Sequence, residues 1–189
     1  MGKIVVSQFV TLDGVMEDPG GAEDFERGGW AFEFDRGPEG DKFKLDEVIA
    51  ADALLLGRVT YEGFAAAWPS RTGSFADKFN TMPKFVVSTT LENPEWNNTT
   101  VISGDVAGEV SRLRERFSGD VLVNGSAQLV NALAQDDLVD EWRLMVFPVV
   151  LGAGKRLFKD GIDKQPLELV ESKPAGATVI LTLSPAGGE

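Results

Sequence analysis

Hydrophobic runs of two different periods divide most of the chain into predicted strands and helices. Short apolar or alternating runs predict strands over residues 5–10, 53–56, 85–88, 101–102, 121–123 and 141–149. Apolar residues at helical spacing predict helices over residues 41–51, 60–67, 106–117 and 126–134. Two last runs, 167–172 and 178–183, predict an antiparallel pair joined through Pro174-Ala175-Gly176.

The order of these elements indicates the fold class. Strands alternate with helices over most of the chain and are followed by strands alone. This order predicts an α/β protein with a mostly parallel central sheet, an antiparallel C-terminal edge and helices on both faces. The length of 189 residues is typical of one domain, so we expect a single domain over residues 1–189.

Residues 17–40 show neither period and are rich in Gly, Asp and Glu. The segment also carries four aromatic residues, Phe25, Trp30, Phe32 and Phe34. Irregular segments of this length in a compact domain are often binding loops or lids. We therefore expect this loop to border a functional site.

The composition narrows the possible chemistry. The chain has no Cys and no His, which excludes a disulfide framework, a thiolate nucleophile, an imidazole base and a Cys- or His-ligated metal. Hydride transfer fits such a chain well, because the cofactor supplies the reacting atom. The net charge of −12 argues against nucleic acid or an anionic membrane as partner. With neither a long apolar run nor a secretory signal pattern, we expect a cytoplasmic protein.

A first candidate binding turn follows the apolar run that ends at Leu56. Gly57 permits a close approach to the backbone, and a helix start then carries Arg58 and Thr60. A helix N-terminus attracts an anion, and Arg can bind a phosphate with two donors. The alternative interpretation is a capped helix with a surface Arg.

A second turn of the same kind, Asn124-Gly125-Ser126-Ala127-Gln128, follows the run over 121–123. Its small residues leave room for a pyrophosphate at the helix N-terminus. Ser126 could equally be a plain N-cap. The two turns together are a stronger signal than either alone, because ligands of open α/β sheets bind at the carboxyl ends of the strands.

Two further segments have open interpretations. The hydroxyls of Ser88, Thr89 and Thr90 end a predicted strand and could bind a ribose or its phosphate, although satisfying a turn is the favoured interpretation. The segment from Phe147 to Phe158 is a glycine-rich basic loop. It could close over a ligand or form a long hairpin with a solvated tip.

Together these segments resemble the dihydrofolate-reductase-like superfamily over nearly the whole chain. Residues 6–15, with Asp13-Gly14, resemble the first strand and "S-x-D-G" turn of the reductase domain of the bifunctional riboflavin-biosynthesis deaminase/reductase. Gly57-Arg58-x-Thr60-Tyr61 resembles the "GR-x-T-aromatic" motif of dihydrofolate reductases, and Asn124-Gly125-Ser126 lies where the superfamily has a glycine pair. Residues 148–158 are the part most similar to the riboflavin-type subfamily.

The resemblance implies NADPH as cofactor. Arg58, Ser88 and Thr89 would meet the adenosine 2′-phosphate. Thr60 and the four residues from Gly125 to Gln128 would hold the pyrophosphate, and Gly57 and Asn124 are further expected cofactor contacts. The nicotinamide would lie near Val10 and the Asp13-Gly14 turn. The expected substrate contacts are Val10, Gly14, Trp30, Leu151 and Gly152.

The activity implied is reduction of a small heterocycle, most like that of 5-amino-6-(5-phosphoribosylamino)uracil reductase. Dihydrofolate reduction and a non-catalytic nucleotide- or pterin-binding module are the alternatives. A carboxylate or a bound water is the expected proton donor. Asp13 and Asp46 are the candidate carboxylates, and Asp41 and Glu47 lie on the same predicted helix as Asp46. No metal is expected. Relatives are often dimers, so we expect a homodimer.

Overall fold

The computed structural model describes residues 1–187, and within that range eight strands form one sheet in the order β4-β3-β2-β5-β1-β6-β8-β7. The strands are β1 Ile4–Thr11, β2 Ala53–Gly57, β3 Lys84–Val87, β4 Thr99–Ile102, β5 Val121–Val123, β6 Glu141–Phe147, β7 Leu167–Ala175 and β8 Thr178–Pro185. The helices are α1 Gly37–Ala50, α2 Arg58–Ala67, α3 Ser74–Thr81, α4 Val106–Arg116 and α5 Ala127–Gln135, with a short 3-10 helix at Trp30–Glu33.

The sheet confirms the predicted fold class. Strands β1 to β6 run parallel to one another, whereas β8 pairs antiparallel with β6 and with β7. Strands β2 and β5 are buried along their whole length, which explains why their sequences are continuous apolar runs. Strand β6 ends at Phe147, two residues before the predicted end, because Pro148 has no N–H for a further ladder bond.

Helices cover both faces of the sheet. Val110 and Leu113 of α4 and Leu133 of α5 pack in the core cluster on one face. Val48 of α1 and Tyr61 of α2 pack in the cluster on the opposite face. Helix α3, which the apolar pattern does not predict, joins this second face through its buried Ala76 and Phe79. No helix among residues 1–187 is long and apolar enough to cross a membrane.

The connections change direction between β1 and β5. From β1 the chain crosses through α1 to β2 on one side, and from β5 it crosses through α5 to β6 on the other side. The crevice at the carboxyl ends of β1 and β5 is therefore a topological switch point, where open α/β sheets bind ligands. Strands β1 and β5 pair regularly only as far as Val6 and Val123, so the residues that follow on the two strands are not joined by regular backbone pairing.

Candidate active site

A groove of about 460 Å³ lies at the carboxyl ends of β2, β3 and β5. The structure brings together in this groove six of the residues proposed from the sequence to bind a cofactor: Gly57, Arg58, Ser88, Thr89, Ser126 and Gln128. Thr60, Asn124, Gly125 and Ala127 belong to the same two strand-to-helix turns. Segments far apart in the chain thus line one surface.

Two helices begin at this groove without a side-chain cap. Helix α2 follows Gly57 and α5 follows Ser126, and neither N-cap residue bonds the first turn through its side chain. Helix α4 differs, since Asp105 accepts a hydrogen bond from the Gly108 amide. The Ser126 hydroxyl therefore does not take the N-cap role that the sequence left open. The positive ends of α2 and α5 border the groove, and no side chain caps their first-turn amides.

The two turns lie against each other. The Gly57 amide donates to the Gly125 carbonyl at 3.0 Å. Gly125 has a φ of +108°, and a Cβ built on it would lie 2.7 Å from Thr60 Oγ1. A Cβ on Gly57 would likewise collide with the Ser126 hydroxyl. Close approach thus favours glycine at both positions, and at Gly125 the positive φ favours it as well.

Some polar side chains of the groove already form hydrogen bonds with other groups of the protein. Arg58 donates from Nη1 to both carboxylate oxygens of Glu62, at 3.0 and 2.9 Å, on the exposed face of α2. The Ser88 oxygen accepts from the amides of Thr90 and Leu91, so it satisfies the turn after β3 as the sequence favoured. Thr89 is exposed beside it.

Asp13 ties the turn after β1 to the loop over residues 148–158. Its carboxylate accepts from the Thr11 hydroxyl at 2.6 Å and from the Leu151 and Gly152 amides at 3.2 and 2.8 Å. The Thr11 hydroxyl and these amides lower the pKa of Asp13 to about 2. The carboxyl group is therefore ionised at neutral pH and has a structural role in this arrangement, which does not suit a proton donor.

The 148–158 loop is neither a free flap nor a regular hairpin. The Met16 amide donates to the Lys155 carbonyl, and the Leu157 amide donates to the Gly14 carbonyl. These two backbone hydrogen bonds join the loop to the 13–17 segment. The amides of Leu151 and Gly152 face Asp13, so these two residues lie next to the Asp13-Gly14 turn.

Two of the proposed substrate contacts lie in the core. Trp30 is 1% exposed, donates its indole N–H to the Glu17 carbonyl at 2.9 Å and packs edge-on against Phe147. Val10 is 4% exposed and faces the α4–α5 side. In this conformation neither side chain presents a surface to the groove, whereas Gly14 is partly exposed in its turn.

Asp46 points outward and pairs with Lys42 on the exposed side of α1. The next residue, Glu47, points inward with a side chain that is 3% exposed. It accepts from the Ser7 hydroxyl at 2.8 and 3.0 Å and forms an ion pair with Lys44. The sequence analysis names Glu47 only as another acidic residue of the predicted helix and does not predict its contact with Ser7 and Lys44. Ser7 could have been a signal, because it is a polar residue on an otherwise apolar stretch of a buried strand.

Comparisons with known proteins identify the family of the chain. The family model described as the RibD C-terminal domain matches residues 2–181. The uncharacterized protein YwjB of Bacillus subtilis (strain 168) is 30% identical over 179 residues, which cover 95% of each chain.

Solved structures show the same fold. A Shewanella sp. PV-4 protein named for riboflavin biosynthesis has a TM-score of 0.76 at 20% identity, over 98% of this chain and 99% of the other. Dihydrofolate reductase from Enterococcus faecalis, complexed with NADP(H) and RAB-propyl, has a TM-score of 0.64 at 15% identity, over 98% and 97% of the two chains.

Proposed function

Because the chain belongs to the RibD C-terminal domain family, we propose that it is a reductase that uses NADPH to reduce a small heterocyclic substrate. The observation that supports this most directly is the meeting of two uncapped helix N-termini with Arg58 in one groove at the carboxyl edge of the sheet. The family as a whole supports an oxidoreductase activity.

The residues present fit a dinucleotide phosphate. The amides of α2 and α5 would hold the pyrophosphate between Thr60 and the Gly125–Gln128 segment, where the glycine cradle leaves no Cβ in the way. Arg58 would leave Glu62 to bind the 2′-phosphate, with Thr89 beside it. When bound, the reduced nicotinamide supplies the hydride.

The proposed substrate class is a ribosylamino-pyrimidine, with 5-amino-6-(5-phosphoribosylamino)uracil as the first compound to test. The similarity of residues 148–158 to the riboflavin-type subfamily favours it over dihydrofolate. The substrate would enter beside the Asp13-Gly14 turn and the 148–158 loop, which Asp13 holds together. We also propose that the protein acts as a homodimer.

The test is a titration of the protein with NADPH and NADH, followed by energy transfer from its four Trp residues to the nicotinamide. We expect Arg58→Gln to weaken NADPH binding by about 10-fold or more, because one charge-assisted phosphate contact is lost. NADH, which lacks the 2′-phosphate, should be weakened less than about three-fold, a margin that corresponds to well under 1 kcal/mol.

Arg112→Gln is the matched control, since Arg112 lies on α4, away from this groove, and pairs with Glu109. It should leave both affinities unchanged. Equal weakening of NADPH and NADH by Arg58→Gln would refute the 2′-phosphate role. If the folded wild-type protein binds neither nucleotide, the cofactor proposal itself fails.

A further inference from the structure

Arg58 is the one cation among the described residues that line the groove at the carboxyl ends of β2, β3 and β5. The other charged lining residue is Asp136, a carboxylate at the end of α5. A phosphate monoester such as the 2′-phosphate of NADPH carries a charge of about −1.5 to −2 at pH 7. The side-chain charge that can favour NADPH over NADH is therefore concentrated in one guanidinium group.

Glu62 neutralises that charge. It lies one turn after Arg58 on α2, and both of its carboxylate oxygens accept from Arg58 Nη1, at 3.0 and 2.9 Å. The side chains of Arg58 and Glu62 are 43% and 50% exposed, and an ion pair this exposed adds little to the stability of a fold. The larger consequence of the pair is for the charge that α2 presents to the groove.

Glu62 affects the two nucleotides differently. A 2′-phosphate has to displace the carboxylate from Nη1 before it gains the full charge of Arg58, and the carboxylate stays within one helical turn of it. Like charges at that spacing repel each other. NADH has a hydroxyl in place of the 2′-phosphate, so neither effect weakens its binding. A carboxylate can even accept from that hydroxyl, as acidic residues do in dinucleotide sites that take NAD.

We propose that Glu62 is a specificity-determining residue, which competes with the 2′-phosphate for Arg58 and thereby narrows the preference of the groove for NADPH over NADH. The inference rests on the proposed function, since it concerns the same cofactor groove. It goes further by naming the side chain that limits how strongly the groove discriminates between the two nucleotides.

The experiment is a fluorescence titration of the full chain with NADPH and with NADH at low ionic strength. Glu62→Gln removes the charge and keeps the size of the side chain. We expect it to tighten NADPH about three- to ten-fold and to change NADH by less than about two-fold. Glu109→Gln removes the same charge from an Arg–Glu pair of α4 that lies away from this groove. This control should leave both affinities unchanged.

A double-mutant cycle tests whether Glu62 acts through Arg58. In the Arg58→Gln background there is no guanidinium to compete for, so adding Glu62→Gln should tighten NADPH by less than about two-fold. The gain from Glu62→Gln alone should also shrink as the salt concentration rises, because both side chains are exposed to screening ions.

The outcomes separate this inference from the cofactor proposal. If the wild type binds NADPH and Glu62→Gln binds it no more tightly, the competition is refuted and the cofactor proposal stands. Equal gains with and without Arg58 would show that Glu62 repels the phosphate directly and would overturn the competition for Arg58. If neither nucleotide binds the folded wild type or Glu62→Gln, the cofactor proposal fails and this inference fails with it.

Discussion

The carboxylate of Asp13 holds two loops together, and its charge is essential to that contact. The folded-state pKa is about 2, below the ordinary value of 3.8, chiefly because the Thr11 hydroxyl and two loop amides bond the ionised form. Stabilisation from a carboxylate with a lowered pKa is complete above the unfolded-state pKa and lost below the folded-state pKa. The window for Asp13 therefore runs from about pH 4 down to about pH 2.

We expect Asp13→Asn to lower the free energy of unfolding by about 1 kcal/mol at pH 7, a modest value because the group is only partly buried. The difference from the wild type should shrink as the pH falls through that window. Urea unfolding at several pH values measures it. Asp163→Asn, at an exposed position, should show no such dependence, and a pH-independent loss in Asp13→Asn would contradict the argument.

Lys84 is the fully buried cation of β3. Its ammonium donates to the carbonyls of Asn80, Met82 and Asn97 at 2.9–3.0 Å and lies 4.3 Å from the centroid of the Trp96 ring. Burial lowers its pKa to about 8, which leaves it mainly charged at neutral pH. It thereby ties the end of α3 to the segment before β4.

Lys84→Met should cost about 2–4 kcal/mol in unfolding free energy, because three carbonyls lose their donor at once. Thermal or urea unfolding at pH 7 gives the value. Lys164→Met, at an exposed position, should change stability by less than about 0.5 kcal/mol. A cost equally small for Lys84→Met would mean that water replaces the lost donor.

At the scale of elements, the start of α5 requires a glycine in a way that the interior of α2 does not. Gly125→Ala would place a Cβ 2.7 Å from Thr60 Oγ1 at a φ of +108°. We expect a loss of about 1–3 kcal/mol in stability and a weakening of NADPH binding, because the α2 and α5 N-termini are pushed apart. Chemical denaturation and nucleotide titration measure the two effects.

Gly63→Ala is the matched substitution in α2. A Cβ there meets no atom within 4 Å, so the change should be neutral or stabilise the protein by about 0.5–1 kcal/mol, with cofactor binding retained. Should Gly125→Ala bind NADPH as tightly as Gly63→Ala, the close approach of the two turns would not be needed for the cofactor.

Most elements were predictable because their apolar periods are strong. The continuous apolar runs of β2 and β5 predict buried strands, and the apolar face of α4 predicts a helix. The alternation of strands and helices then predicts a mostly parallel sheet. Helix α3 was missed because it has eight residues and buries only Ala76 and Phe79, too short a stretch for a helical period to show.

The site was predictable where it depends on local turns and not where it depends on tertiary contacts. Gly57, Arg58 and Ser126 could be placed from strand–glycine–helix patterns that the groove brings together. Which acidic residue of α1 faces inward depends on the rotation of the helix against β1, and the weak amphipathic pattern of α1 does not fix that rotation. Asp46 and Glu47 are adjacent, yet only Glu47 contacts Ser7.

At the scale of the whole molecule, the parallel half of the sheet carries the proposed site and the antiparallel end leaves an open edge. Strand β7 has nine residues and pairs on one side only, with β8. Its Leu169 and Val170 are 59% and 62% exposed, and Val179 of β8 is also exposed. A long, apolar edge strand is prone to pair with another strand unless it is protected.

A second copy of this chain suits that edge. Antiparallel pairing of two β7 strands about a two-fold axis would bring Lys173 towards the partner's Glu168, so unlike charges flank the apolar centre.

We expect light scattering after gel filtration to give a dimer for the wild type. In that register Val170 lies opposite the partner's Glu171, so Val170→Glu would place like charges across the interface and should give a monomer that still binds NADPH. Ile49→Glu, at another exposed apolar position, should remain dimeric. A dimer that survives Val170→Glu would place the interface elsewhere, and a wild-type monomer would leave β7 as an edge protected by its charges and by its irregular register near Leu169.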